Sequence, residues 1–444
     1  MLDYLLLFIA IVTYFYQKWR FLSILLYIGF MFEGYNLYNG LAFYSLKNID
    51  LAVVYTFVVN CYLILNSRYK LPKMKFLKWY YIFIIFIFLS AIYSHLHYNL
   101  SWIEILQGGR YLLLVFSLPI MYNLTCEDAL KILRGLYWIT VITGIIYILQ
   151  VIMQCPIFLQ HSEPEPDGAT GLLRFYDYPP FITFFLAYSF IYPSFFKNKL
   201  TISRIIFILC VLASLGRTFI LVNLITVVFA LFLQGKFQRL LKHFVLGLIL
   251  LLPFYNIIQS RFNDGNTVGD LTSIISGDFQ TYTEYHESGT TMTYRLAWVY
   301  ERFDYLMQRP FSERFFGLGL LSDDLPKSKQ MYDFKIRIIF PNITMQLRTP
   351  DIAYGTMIAY MGIGGIILYM ILYCSLMSFF YKNKHRNSVF ILGAVMLVSS
   401  LLIGFAGDNI SNPQYLSPYF LLLSFYKVDV YGGKRFNLYS DSNV

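Results

Sequence analysis

Apolar stretches of near-spanning length recur along almost the whole chain, divided by short loops rich in lysine and arginine. They fall at about 3–17, 21–38, 49–66, 77–94, 110–123, 135–155, 178–196, 203–215, 217–235, 243–260, 351–381, 388–406 and 414–427. A helix needs about 20 apolar residues to cross a bilayer. The stretches at 3–17, 110–123, 203–215 and 414–427 are short for that, so the expected number of spans is about 12–14. Only 14% of the 444 residues are charged, against about 25% in a soluble domain. The expected fold is therefore all-α: a polytopic membrane protein with one large, mainly helical loop at its outer face. The opening segment, "MLDYLLLFIAIVTYFYQKWR", lacks a basic start and a small-residue cleavage site, and reads as a retained first span.

Loop charge sets the expected orientation. Alternate loops collect Lys18 and Arg20; Arg68, Lys70, Lys73, Lys75 and Lys78; Lys131 and Arg134; Lys197, Lys199 and Arg204; Lys236, Arg239 and Lys242; Lys382, Lys384 and Arg386; and Lys427, Lys434 and Arg435. That makes 21 basic residues on one face. The other face keeps Lys47, Arg110, Arg174 and Arg217 outside one long loop. Basic loops stay cytoplasmic, so the N-terminus is expected outside and the C-terminus inside. The net charge of +10 is explained by these loops and does not point to nucleic acid. Four regions follow: 1–260 with about ten spans, a 261–350 outer loop, C-terminal spans over 351–427, and a cytoplasmic tail at 428–444. The long loop holds 10 Lys/Arg and 11 Asp/Glu, and long translocated loops are exempt from the charge rule.

Arg110, Arg174 and Arg217 break the charge pattern, and all three are expected at outer span ends. Arg217 lies in the tight turn of "SLGRTFIL" (Ser214–Leu221). An arginine there either snorkels to the headgroups or serves a site. Its planar fork of donors suits phosphate oxygens. In the long loop, "TTMTYRLAWVYERFDYLMQRP" reads as a helix capped by Thr290 or Thr291 and stopped by Pro310. Leu296, Val299, Phe303 and Leu306 make one stripe; Arg295, Trp298, Arg302 and Arg309 make another. The bland alternative is a solvated face, with Arg302 paired to a neighbouring acid. Cys61, Cys126, Cys155, Cys210 and Cys374 form no CxxC pair, and no metal site is expected.

At these residues the chain resembles the bacterial O-antigen polymerase and O-antigen ligase superfamily. Four landmarks carry the resemblance, in order: Arg174 before a Pro-bearing span start ("RFYDYPPFITFFLAYSF"), and the Ser-x-Gly-Arg-Thr turn Ser214–Thr218. Then come an Arg-x-x-Trp helix followed by Pro and Gly-x-Gly (Arg295, Trp298, Pro310, Gly317, Gly319), and "MGIGGIILY" (Met361–Tyr369). The resemblance implies glycosyl transfer at the outer face of the inner membrane, from a glycan on undecaprenyl diphosphate and without a metal. It implies as partners a lipid-linked donor, a lipid-linked acceptor, a flippase and a chain-length regulator. Ligases of the family place a histidine base where the large loop meets the next span. Here that place reads "RTPDIAYGTMIAYMG", with Asp351 instead, which favours a polymerase.

Cleaving a sugar–diphosphate bond puts negative charge on the leaving phosphate, and fixed cations lower that barrier. The expected diphosphate ligands are Arg217 and Arg295, then Arg174, Arg110 and Arg302. The acceptor hydroxyl must lose a proton to a carboxylate or histidine. Asp351 leads, with Glu301, His286 and Glu284 behind it; alternatively Asp351 merely caps the next helix. Trp298 and Tyr294, with Tyr282 and Tyr285, are candidates for sugar stacking. The rival readings are a ligase acting on a lipid A-core acceptor and a flippase for the same glycan. Transporters usually show internal repeats, and none is evident here.

Overall fold

The structure, a computed structural model, describes residues 2–37, 47–71, 73–158, 164–166, 171–235, 292–339 and 344–426. The expected span at 243–260 and the tail at 428–444 lie outside the described residues.

Helix ends follow caps and turns in the sequence. α1 (Leu2–Phe15) and α2 (Arg20–Met31) are joined by a tight turn over Gln17–Trp19. α3 (Asn48–Leu65) starts where the Lys47 N–H donates to the Asp50 carboxylate at 2.8 Å. α4 (Leu77–Tyr98) ends on Asn99 in the left-handed conformation. α5 (Trp102–Leu113) opens with a reciprocal box between Ser101 and Glu104, and a turn leads into α6 (Ser117–Tyr122). α7 (Cys126–Met153) is capped by Thr125, whose hydroxyl accepts the Asp128 N–H at 3.0 Å. A two-residue antiparallel ladder of β1 (Glu165–Pro166) and β2 (Leu173–Arg174) precedes α8 (Ile182–Ile191), α9 (Leu200–Ala213) and α10 (Arg217–Leu233). The long loop contributes α11 (Met292–Met307), α12 (Phe311–Phe316), α13 (Pro326–Met331) and a second ladder, β3 (Ile338–Ile339) with β4 (Thr344–Met345). α14 (Ala353–Lys382), α15 (Ser388–Ile403) and α16 (Ser417–Leu422) follow.

Five helical stretches among the described residues are long and apolar enough to cross a membrane: Asn48–Leu65, Leu77–Tyr98, Trp102–Tyr122, Cys126–Met153 and Ala353–Lys382. Asp3–Phe15, Ile182–Ile191, Thr218–Leu233 and Ser388–Ile403 are shorter apolar helices. By length and composition the chain is a helical membrane protein. The span expected at 110–123 needs correction. Its helix starts at Trp102, so Arg110 lies about 12 Å along α5 from that start, not at a span end.

The helices close into a ring. α3, α5, α4, α14, α15, α10, α8, α9, α7 and α2 each pack on the next, and α2 returns to α3. α6 and α16 fill the middle, packed on each other. The short helices are the enclosed ones. Every residue from 182 to 191 and from 416 to 425 is buried. The long peripheral helices instead expose Phe57, Leu65, Ile85 and Ile367, as lipid-facing surfaces do. A short helix is tolerated at membrane depth where protein surrounds it. Hydroxyl pairs join packed helices at Ser23–Tyr55 (α2 to α3, 2.6 Å), Ser400–Tyr419 (α15 to α16, 2.7 Å) and Ser117–Ser417 (α6 to α16, 3.0 Å).

Loops gather at two ends. Lys70 and Asn123 are joined at one end by a hydrogen bond of 3.0 Å, with Lys199 over the Trp138 ring and Arg386 over Tyr426. This is the end of the basic loops. The long loop sits at the other, against Lys47, the α4 terminus, α5 and the 404–412 segment.

The long loop is fastened to the bundle through backbone. Gly317, at φ 86°, abuts Gly362, at φ 58°, where α14 kinks. The Leu318 N–H donates to the Ala359 carbonyl at 2.7 Å. A Cβ on Gly317 would lie 2.6 Å from the Ala359 oxygen, and one on Gly362 would lie 2.4 Å from the Gly317 nitrogen. Both positions demand glycine for conformation and for space. Gly317→Ala or Gly362→Ala should each cost at least about 2 kcal/mol, read as a lower melting temperature of the detergent-purified protein. An unchanged melting temperature for both would refute the seam.

Candidate functional site

The turn before α10 builds one wall of the site. Leu215 takes the positive φ of 52°, and the Ser214 hydroxyl accepts the Gly216 N–H at 3.3 Å. Gly216 is the N-cap of α10. Arg174, at the end of β2, lays its guanidinium over the Tyr176 ring at 4.7 Å. Its Nη2 lies 3.4 Å from where a Gly216 Cβ would stand, so the two landmarks meet. Among the described residues Arg174 has no ion pair, and its buried Nε–H has no hydrogen-bond partner. Arg217 is the first residue of α10; its side chain is outside what is described. The free N–H groups and dipole of a helix start favour an anion there. The Tyr178 ring packs on Phe219 at 4.4 Å, and the Tyr178 carbonyl accepts from Asn36 at 3.2 Å.

The opposite wall comes from the long loop and its return. Arg295 on α11 lies 3.8 Å from the Asp351 carboxylate. The N-cap of α14 is Ile352, so Asp351 does not cap that helix. Its N–H donates to the Thr349 hydroxyl at 3.1 Å. Beside this pair, Arg348 meets Asp408 at 2.6 Å and covers the Tyr111 ring at 4.3 Å. Asn412 donates to Asp408 at 3.1 Å. Tyr178 lies within electrostatic reach of Arg174, Asp408 and Arg295 together, which ties the two walls into one cluster. Sequence reasoning passed over Arg348 and Asp408. The signal for Asp408 was the polar island "GDNISNPQ" between two apolar stretches.

Several expected ligands have other work. Arg302 is fully buried and is no diphosphate ligand. Its five N–H bonds reach the Gln346 carbonyl (3.1 and 2.9 Å), the Ile336 carbonyl (2.5 Å), the Trp298 carbonyl (3.4 Å) and Glu301 (2.8 Å). The Trp298 and Phe334 rings flank it at 3.7 and 4.4 Å. Burial lowers its pKa to about 10, with Glu301 opposing, so it remains charged. Glu301 is likewise no free base, because its carboxylate also accepts the Lys335 and Ile336 N–H groups at 2.7 and 3.1 Å. Trp298 and Tyr294 are buried, at 0% and 4% exposure, and present no face to a sugar. The two stripes on α11 do not divide into a buried and an exposed face: Arg302, Trp298 and Leu306 are buried while Phe303 is exposed and Arg309 half-exposed. The reason is that backbone carbonyls and aromatic faces satisfy a guanidinium as well as water does.

Arg110 is also corrected. It donates to both Asp50 oxygens at 3.3 Å and to Asp324 at 3.3 Å, and Lys47 meets Asp324 at 2.7 Å. Burial raises the Asp324 carboxyl, but the Lys47 bond and charge, Ser322 and Arg110 pull it below its usual range. The neighbouring Asp323 is pushed up to about 6 by burial, against backbone N–H groups at 347 and 348 that pull it down. His286, Glu284, Tyr282 and Tyr285 lie outside the described residues. Compared with known proteins, the chain matches no family model and no curated relative.

The geometry separates Arg302, which braces the loop, from Arg174, which has no ion pair among the described residues. Arg302→Met should destabilise the protein by about 3–5 kcal/mol by stranding Glu301 and four carbonyl contacts. Arg302→Lys should not rescue it, since an ammonium lacks the fork. Arg174→Ala should leave stability within about 0.5 kcal/mol of wild type. Thermal unfolding of the three purified variants, followed by size-exclusion fluorescence, tests this; a stable Arg302→Met would contradict it.

Proposed function

We propose that this protein is an integral-membrane glycosyltransferase that polymerises undecaprenyl-diphosphate-linked oligosaccharide repeat units. In this reading it spans the bacterial inner membrane about 12–14 times and works at the periplasmic face. The observation that carries the reading is Arg174: a cation without an acidic partner among the described residues, set beside the α10 start at the end opposite the basic loops. The diphosphate of a lipid-linked donor would sit between Arg174, the α10 N-terminus with Arg217, and Arg295. Arg348 stands behind them, already paired with Asp408.

The reaction forms a bond from the acceptor sugar oxygen to the donor's anomeric carbon. The bond from that carbon to the phosphate oxygen breaks, and the diphosphate leaves with the electron pair. Cations fixed before the reaction stabilise that charge without reorganising. The acceptor proton passes to Asp351, which is held 3.8 Å from Arg295 and so lies beside the leaving group's site.

Three experiments test the reading. In a chain stripped of its native cysteines, Lys329→Cys should react with an impermeant thiol reagent in spheroplasts, and Lys73→Cys should react only after lysis. The reverse pattern would invert the orientation and remove the periplasmic site. Purified enzyme with lipid-linked repeat units should lose polymer formation by about 100-fold or more in Arg174→Ala and in Asp351→Asn. Arg174→Lys should recover part of the rate, because a point charge lacks the bidentate fork. The deletion strain should show single-repeat surface glycan in place of a ladder. Full polymer from both Arg174→Ala and Asp351→Asn would sink the assignment.

A further inference from the structure

A cavity of about 210 Å3 opens beside the cation cluster, between α5, the 322–324 turn, β4, the start of α14 and the 411–412 segment. Its polar lining includes Gln107, Arg110, Tyr111, Asp324, Arg348 and Tyr360. We propose that this cavity is a subsite for an uncharged sugar ring, distinct from the diphosphate site. The inference rests on the glycosyltransferase reading and adds to it the substrate class held on this side of the cluster.

Charge balance argues for a neutral ligand. Each cation on the cavity wall already has an acid: Lys47 and Arg110 share Asp324, Arg110 also holds Asp50, and Arg348 holds Asp408. A diphosphate placed here would have to take those cations from their carboxylates, and at the buried Arg110 it would break a pair with Asp50. Sugar hydroxyls ask less, because each both donates and accepts, and paired ions still offer spare donors and acceptors.

The spare groups are present. Arg110 is 6% exposed and lines the cavity, and its buried Nε–H has no hydrogen-bond partner among the described residues. Gln107 lies one helical turn before Tyr111 on α5, so its amide and the Tyr111 ring edge the same face. Tyr360 brings a hydroxyl and Met357 an apolar patch from α14. Polar groups converging on a partly apolar concave wall are how a small ligand is held and oriented.

Position supports the same assignment. Arg348 lines the cavity, while its partner Asp408 lies within electrostatic reach of Tyr178, as Arg174 and Arg295 do. The Arg348–Asp408 pair therefore links the cavity wall to the cation cluster. A sugar in the cavity would have its linkage directed at the cation cluster.

The test uses full-length protein in detergent micelles. Saturation-transfer NMR is read with two probes. One is the neutral and N-acetylated monosaccharides released by hydrolysing the source organism's surface polysaccharide; the other is inorganic pyrophosphate. At least one sugar should bind, undisplaced by pyrophosphate. Gln107→Ala and, separately, Tyr360→Phe should each weaken that sugar about tenfold and leave pyrophosphate affinity unchanged. Tyr360→Phe removes a single oxygen and serves if Gln107→Ala fails to fold. Sugar affinity unchanged in both variants overturns the subsite. So does pyrophosphate binding that Gln107→Ala weakens, which would make the cavity an anion site. Pyrophosphate binding with no sugar binding overturns the subsite and leaves the diphosphate reading standing. Binding of neither probe overturns both.

Discussion

The long polar excursion of this chain is held to an apolar bundle by a hydrogen bond between two main chains, Leu318 N–H to Ala359 carbonyl. Side chains reinforce that joint: the Tyr98 hydroxyl donates to the Gly317 carbonyl, and Lys47 and Arg110 hold Asp324. A membrane helix has every backbone group committed to itself except where it kinks, and α14 kinks at Gly362. The kink opens the helix to the 317–319 turn, and glycine on both sides lets the backbones close to contact. Everything the loop brings to the site depends on this seam. Arg295 precedes its first side in sequence, Arg348 and Asp351 lie between its two sides, and both arms are referred to the same point of the bundle.

Beyond the seam, the loop is organised around a buried charge. Burying a guanidinium costs several kcal/mol unless hydrogen bonds replace its hydration. Arg302 meets that condition with five bonds and two aromatic faces. Its acceptors come from residues 298, 301, 336 and 346, so one side chain draws α11 and the strands around β3 and β4 together. Glu301 completes the joint by taking backbone N–H groups at 335 and 336. Such a brace gives α11 a fixed roll. That roll turns Trp298 inward against the start of α14 and sets Arg295 beside Asp351.

Much of the helical layout was legible because the bilayer writes a strong signal: long apolar blocks and basic loops. The weaknesses came where that signal is diluted. α5 begins earlier than hydropathy predicts because its first turns, "WIEILQGGR", carry Glu104, Gln107 and Arg110, and hydropathy reads such a start as loop. The Ser101–Glu104 box was the available sign of the true helix start. α16 looked too short to be a span, and its enclosure by protein explains the length. The landmark motifs were legible as a set, but their contacts were not. That Gly317 meets Gly362, or that Arg174 meets Gly216, needs the fold.

The arginines show the limit most clearly. Arg110 and Arg174 look alike in sequence: each is a single cation at the edge of an apolar stretch, on the face that carries few. Folding separates them through acids that sequence distance conceals. Arg110 finds Asp50, 60 residues before it, and Asp324, 214 residues after it. Arg174 finds an aromatic ring and a glycine instead, and its Nε–H has no partner among the described residues. A paired guanidinium is spent on holding two segments together, and an anion competes for it at the cost of that joint. An unpaired one near a helix start carries no such cost and is already desolvated on one side. The same residue type thus becomes a brace or keeps donors open to an anion according to whether a carboxylate arrives from elsewhere in the chain.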